Sequence, residues 1–245
     1  MIPNPILKVL SSMRSNGVRA LLMGGQACVF YGAAEFSRDT DLAVLADDLN
    51  LERLAKALAE LEATAIAVPP FLADYLHRGH AVHFRCMHPE AYRMRVDVMS
   101  TMRGVAPFPQ LWKRRTQIEL PGGSLCDLLS LPDLVQAKKT QLDKDWPMIR
   151  RLVEAHYFEN QQAPNPSQVR FWFRELRTPE LLTELGLRFP SLRLRASTAR
   201  PLLNLIPDPA RLEQALVEEE MHERRRDRDY WLPLKSELER LRHAD

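Results

Sequence analysis

Four short apolar runs, with helix-like patterns between them, occupy the first 100 residues, and this alternation constrains the fold more than any other feature. The runs are 18–23, 39–45, 81–87 and 94–99. Apolar residues recur at helical spacing in the stretches 26–33 and 51–61. Strands that alternate with helices in this way predict an α/β fold.

The last third of the chain has only helical periodicity. A polar, proline-bearing stretch at 160–166 precedes it. Such a stretch is typical of a domain boundary. We therefore predict two domains, 1–160 and 161–245, of which the second is all-helical.

The composition narrows the class of protein. The chain is 45% apolar and 27% charged, which is ordinary for a globular protein and excludes a disordered tail, a collagen and a disulfide miniprotein. No apolar run approaches the ~20 residues that cross a bilayer, so we expect no membrane partner. The three cysteines lack paired spacing, which is typical of a reducing compartment. We expect a cytoplasmic protein.

The middle of the chain is basic. Residues 101–200 contain 16 Lys and Arg against 10 Asp and Glu, a net charge of +6. Such an excess fits a phosphate-bearing ligand and fits equally a solvated surface, so both interpretations remain open.

A glycine pair, Gly24-Gly25, follows the first predicted strand and precedes a helix. Two glycines at this place let the backbone approach an anion closely, beside the free N–H groups of a helix start. The pattern lacks the third glycine of the dinucleotide fingerprint and the Lys-Ser/Thr of a P-loop. Phosphate binding and a simple strand end both remain open.

Two aspartates, Asp39 and Asp41, stand two residues apart at the start of the second predicted strand. On a strand both carboxylates would point to the same face and repel each other. A divalent cation with oxygen ligands, Mg²⁺ or Mn²⁺, would relieve the repulsion. The alternative is a strand end at the solvent, with an aspartate bonded to Arg38.

A third carboxylate, Asp97, interrupts the apolar strand 94–99. If this strand lies beside the one that carries Asp39 and Asp41, three carboxylates converge. That arrangement suits two-metal phosphoryl transfer.

Three short motifs together resemble a known superfamily. Met23-Gly24-Gly25, then Asp39-Thr40-Asp41-Leu42, then Val96-Asp97-Val98 is similar to the signature of the DNA polymerase β-type nucleotidyltransferases. The stretch 35–42 and the lysine-rich stretch 138–145 resemble the small members that include the AbiE-type toxins of type IV toxin–antitoxin systems. The resemblance covers roughly residues 18–155.

The resemblance implies a mixed β-sheet nucleotidyltransferase core with helices, followed by an all-α C-terminal region. It implies metal-dependent transfer of a nucleoside monophosphate from an NTP to an acceptor hydroxyl of RNA, protein or a small molecule, with release of pyrophosphate. Asp39, Asp41 and Asp97 would be the catalytic residues and the ligands of Mg²⁺ or Mn²⁺. The nucleotide-binding residues would be Gly24, Gly25, Gln26, Arg38, Lys138, Lys139 and Lys144.

Two alternatives accompany this enzyme hypothesis. A toxin would use the same chemistry on tRNA or protein and be restrained by an antitoxin protein. A catalytically weakened nucleotide- or partner-binding module would have kept only the fold, because Leu142 stands where relatives often have an arginine. A helix predicted over 131–142 would put Lys138 and Leu142 on one stripe.

Overall fold

The computed structural model describes residues 4–34 and 37–243. Glu35 and Phe36, which belong to the stretch that resembles the small nucleotidyltransferases, lie outside the described residues. The described chain forms seven strands in one mixed sheet together with eleven α-helices, which confirms the predicted α/β class. None of these helices combines the length and the apolar character that a membrane crossing requires.

The elements follow one another in this order: α1 (Asn4–Ser15), β1 (Ala20–Met23), α2 (Gly24–Phe30), β2 (Asp39–Val44), α3 (Asp48–Glu60), β3 (Thr64–Ala65), α4 (Ala73–Arg78), β4 (Val82–Arg85), β5 (Arg95–Met99), α5 (Phe108–Lys113), β6 (Thr116–Glu119), β7 (Leu125–Leu128), α6 (Leu131–Ala137), α7 (Asp145–Asn160), α8 (Pro166–Glu175), α9 (Pro179–Arg188), α10 (Pro190–Ser197) and α11 (Pro209–Arg242). Short 3₁₀ turns occur at Pro89–Ala91 and Pro201–Leu205.

The sheet has the strand order β3-β4-β5-β2-β1-β7-β6. At its centre β2 runs parallel to β5 and antiparallel to β1, and β4 is antiparallel to β5. The four strands predicted from apolar runs are β1, β2, β4 and β5, so the patterning found the centre of the sheet. It missed the strands β3 and β6 at the edges, β7 between β1 and β6, and the short helices α4 and α5, all of which have six residues or fewer.

Alternation along the central strands gives the sheet two different faces. Thr40 and Leu42 of β2 and Val96 of β5 are buried, and α1 packs against β2 and α3. The Ser12 hydroxyl of α1 donates to the carbonyl of Ala57 in α3 at 3.1 Å. Asp39 and Asp41 belong to the other, partly exposed face. The apolar core thus holds the strands while leaving their polar face available.

The chain separates into two compact units. The first contains the residues up to Ala137 and those from Tyr230 onward, and the second runs from Lys138 to Asp229. The first unit contains the whole sheet. The predicted domains, 1–160 and 161–245, stay a prediction; the compact units divide at other positions, because α7 belongs with the later helices and the end of α11 belongs with the sheet.

An aromatic cluster forms part of the core of the second unit. Trp172 and Phe173 of α8 are fully buried, and the rings of Tyr157 and Trp172 meet edge to face with centroids 5.0 Å apart. Asn165 caps α8 through a capping box, so the stretch 160–166 is a short, ordered connection between α7 and α8.

The predicted helix over 131–142 was wrong in its extent. The helix α6 ends at Ala137, and Leu142 lies in the following turn with 49% of its surface exposed. The Thr140 hydroxyl accepts from the Leu142 N–H at 3.1 Å and donates to Asp145 at 2.6 Å. These side-chain bonds compete with helical ones. Lys138 and Leu142 therefore do not share a helical stripe.

Candidate functional site

Three aspartates project from one face of the sheet, which we call the acidic face (Asp39, Asp41 and Asp97). Asp41 and Asp97 are register partners on the parallel strands β2 and β5. Partners in neighbouring strands point to the same face, and so do residues two apart on one strand. The structure therefore brings the three predicted carboxylates to one side of the sheet.

The backbone of Gly24 lies directly against the Asp41 carboxylate. Gly24 has a φ of +65°, and a Cβ at this position would stand 1.8 Å from Oδ2 of Asp41. A Cβ at Gly25 would stand 2.8 Å from the Ser37 hydroxyl. Only glycine allows this approach, so the glycine pair and the acidic face form a single site.

Asp97 is held by two cation-forming side chains on the same face. Its Oδ1 accepts from Nε of Arg95 at 2.7 Å and lies 2.9 Å from Nδ1 of His83, its register partner on β4. The same Nδ1 lies 3.1 Å from Nη2 of Arg95, so this nitrogen donates to Asp97 in one tautomer and accepts from Arg95 in the other. Burial raises the pKa of Asp97, but the bonds from His83 and Arg95 outweigh it and hold the pKa below its ordinary value.

Arg95 compensates charge across the whole acidic face. Its pKa is raised, mainly by the hydrogen bond to Asp97; partial burial opposes the rise, and the charges of Asp39 and Asp41 add to it. The guanidinium thus lowers the repulsion among the three carboxylates, which would otherwise oppose folding of this strand pair.

The acidic face fits a divalent cation by the chemistry of its donors. Three carboxylates on one face are the hard oxygen ligands that Mg²⁺ and Mn²⁺ prefer. As the side chains are oriented, however, no group of three His, Cys, Asp or Glu residues within 4–34 and 37–243 is ready to hold a metal ion. Asp97 would have to exchange its contacts with Arg95 and His83 for such an ion.

The predicted phosphate-binding residues fall in different places. Gln26 is buried, 1% exposed, and its amide has no hydrogen-bond partner in the described chain, whereas Arg38 is exposed. The lysines belong to the second unit. There Lys138 pairs with Asp145 at 2.8 Å and Lys139 with Glu175 at 2.7 Å, while Lys144 is exposed.

Two residues of the site, His83 and Arg95, were not among the sequence candidates. The signal for Arg95 was present, because a residue two before Asp97 on a strand must share its face. His83 had no such signal, since its place beside Asp97 depends on the pairing of β4 with β5.

Comparison with known proteins identifies no family for this chain. No protein-family model matches the chain, and no curated protein matches it. The resemblance to nucleotidyltransferases therefore stays a hypothesis that rests on the residue pattern and the geometry of the acidic face.

Proposed function

We propose that this protein is a divalent-metal-dependent nucleotidyltransferase, which moves a nucleoside monophosphate from an NTP to an acceptor hydroxyl and releases pyrophosphate. The observation that carries the proposal is the register of Asp41 with Asp97, with Gly24 against the Asp41 carboxylate. Carboxylates gathered on one face of a sheet are what a metal-bound triphosphate requires.

Asp39, Asp41 and Asp97 would hold Mg²⁺ or Mn²⁺. When bound, the cation would neutralise phosphate charge and polarise the reacting oxygens. The lowered pKa of Asp97 keeps this carboxylate ionised at neutral pH, which suits a ligand better than a strong proton acceptor.

A second candidate is a nucleotide-binding module with weak or no catalysis. One observation favours it: Asp97 is bonded to Arg95 and His83, and the described residues contain no group of three side chains oriented to bind a metal ion. Such a module would bind an NTP and turn it over slowly or not at all. The toxin hypothesis stays a prediction, since no described feature bears on it.

The decisive experiment compares Asp41→Asn with wild type. Purified protein is incubated with each labelled NTP, Mg²⁺ and total cellular RNA or protein, and transfer and pyrophosphate release are measured. We expect Asp41→Asn to lower turnover at least ~10³-fold, because charge stabilisation of several kcal/mol is lost. The matched control is Asp48→Asn, an exposed carboxylate in the first turn of α3, which should leave turnover unchanged.

A thermal shift separates the two candidates. An NTP with Mg²⁺ should raise the melting temperature of wild type and not of Asp41→Asn, because a ligand that binds only the native state stabilises it. A shift without turnover would favour the binding module. Absence of both in wild type would contradict both candidates.

A further inference from the structure

The hairpin of β4 and β5, residues 82–99, concentrates positive charge beside the acidic face; we call it the basic hairpin. Arg85 and Arg95 are register partners on its two strands. Like charges directly opposite each other destabilise a sheet. Arg95 has Asp97 as a counter-ion, but within the described chain the side chain of Arg85 forms no ion pair or hydrogen bond. The fold thus retains an uncompensated cation next to another cation.

An arginine also occupies a glycine-like position in the same hairpin. The Arg93 N–H donates to the Cys86 carbonyl at 2.8 Å, and the Cys86 N–H donates to the Met94 carbonyl at 2.9 Å. Two residues therefore oppose one, which is a bulge whose first residue is normally glycine. Arg93 adopts a φ of +62° there and is exposed. Its side chain forms no ion pair or hydrogen bond within the described chain, so its guanidinium is accessible to a ligand.

An exposed aromatic ring completes the hairpin tip. Tyr92 precedes Arg93 and has 59% of its surface exposed. The hairpin contains three arginines and two histidines against two carboxylates, Glu90 and Asp97, of which Asp97 is bonded to Arg95. Arginines interleaved with an exposed aromatic ring are typical of surfaces that bind single-stranded nucleic acid.

We propose that the basic hairpin binds single-stranded nucleic acid, with Arg85 and Arg93 at backbone phosphates and Tyr92 stacked on a base. Arg95 is the register partner of both Arg85 and Asp39, so these three positions form one row across adjacent strands. With strands ~4.8 Å apart, the row spans about 10 Å. A nucleic acid bound along this row would extend from the hairpin to the acidic face. Its role there as the hydroxyl acceptor rests on the proposed function.

An acidic protein segment could form ion pairs with the arginines but would offer no base to stack on the Tyr92 ring. Phosphates repeat along a nucleic acid strand, and every base offers a face to an aromatic side chain. The combination of separated arginines with an exposed tyrosine therefore favours a nucleic acid, and the protein alternative becomes an outcome of the test.

The test measures binding of a fluorescein-labelled uridine oligomer by fluorescence anisotropy, without NTP or metal and at several salt concentrations. Arg85→Gln should weaken binding and lower the slope of log Kd against log salt by about 0.7, the value for one lost phosphate contact on a single strand. Tyr92→Ala should weaken binding about fivefold or more with the slope unchanged, because stacking carries no charge. Lys56→Gln, an exposed lysine of α3, is the control for loss of one charge.

Arg93→Gly separates binding from folding. Glycine prefers the backbone conformation of this bulge, so the melting temperature should stay unchanged or rise while oligomer affinity falls. Wild-type affinity in both Arg85→Gln and Arg93→Gly would overturn the proposal. So would an equal loss in Lys56→Gln, or equally strong competition by polyglutamate of the same charge, which would indicate an acidic protein partner.

Failure of this inference is distinguishable from failure of the proposed function. Loss of oligomer binding in the hairpin variants, with turnover intact in Asp41→Asn, would leave the nucleic acid surface standing and reject the enzyme. If transfer depends on Asp41 but oligomer binding does not depend on Arg85 or Arg93, the enzyme proposal stands and the nucleic acid surface is rejected.

Discussion

Charged side chains are concentrated in two regions of the molecule, which differ in how completely opposite charges are paired. In the second unit an ion-pair core (Lys139, Glu175, Arg177, Arg200 and Glu219) is largely buried. There Arg200 donates to both oxygens of Glu219, at 2.9 and 2.8 Å, and to the carbonyl of Phe173 at 2.9 Å. On the acidic face of the first unit, three carboxylates share the charge of Arg95 instead.

The difference is consistent with a structural role for the ion-pair core and with the ligand-binding role that we propose for the acidic face. A buried charge is tolerated when its partners satisfy it, as those of Arg200 do. Like charges gathered on a half-exposed sheet face lower stability, and Arg95 offsets this repulsion only in part.

Removing a cation from the ion-pair core should give the largest loss of stability. Arg200 is 6% exposed, and Arg200→Met would leave two backbone carbonyls without this donor and Glu219 with Arg177 alone, at 3.1 Å. We expect a loss of about 3 kcal/mol in the free energy of unfolding, as for other broken buried pairs. Urea denaturation measures it, with the exposed Arg195→Met of α10 as the control, expected within ~0.5 kcal/mol of wild type. An equal effect of the two variants would show that the core is not structural.

Closing the gap at Gly24 should damage the acidic face beyond its cost in backbone strain. Gly24 and Gly32 have φ values of +65° and +72°, but a Cβ on Gly32 meets nothing within 4 Å. Both alanine variants should lose about 1–2 kcal/mol of stability from the left-handed backbone. Only Gly24→Ala should also lose turnover and NTP-dependent thermal shift, because its Cβ displaces the Asp41 carboxylate. Equal turnover in the two variants would remove the glycine pair from the site.

Acid should weaken the ion-pair core through Glu219. Burial raises the pKa of this carboxyl, but the hydrogen bonds and charges of Arg200 and Arg177 outweigh it, so the folded-state pKa lies below the ordinary 4.5. A lowered pKa contributes stability that is present above pH 4.5 and is lost as pH falls through the folded value. The unfolding free energy of wild type should therefore fall more steeply below pH 4.5 than that of Glu219→Gln. Parallel curves for the two proteins would contradict this assignment.

The smallest effect on stability is expected at Leu142. This side chain is 49% exposed in a turn, so Leu142→Arg should change the free energy of unfolding by less than about 0.5 kcal/mol. The matched comparison is Leu152→Arg in α7, where the leucine is buried and an arginine should be strongly destabilising. An unfolded Leu142→Arg protein would mean that this turn packs more tightly than its exposure indicates.

Local pattern was enough to predict the central strands and three members of the site. Asp39 and Asp41 share a face because they stand two apart on a strand, and Gly24 marks the only kind of residue that fits the close approach found there. The extent of α6 was mispredicted because Thr140 and Asp145 bond the backbone and each other, which periodicity does not record.

Because side chains alternate with a period of two, the residue pattern alone indicates which residues lie on which side of each strand. The order of the strands was decided only in the tertiary structure, because pairing depends on contacts between residues far apart in the chain. That pairing put Asp97 beside Asp41, His83 beside Asp97 and Arg85 opposite Arg95. The acidic face and the basic hairpin are therefore products of strand register, which no local pattern encodes.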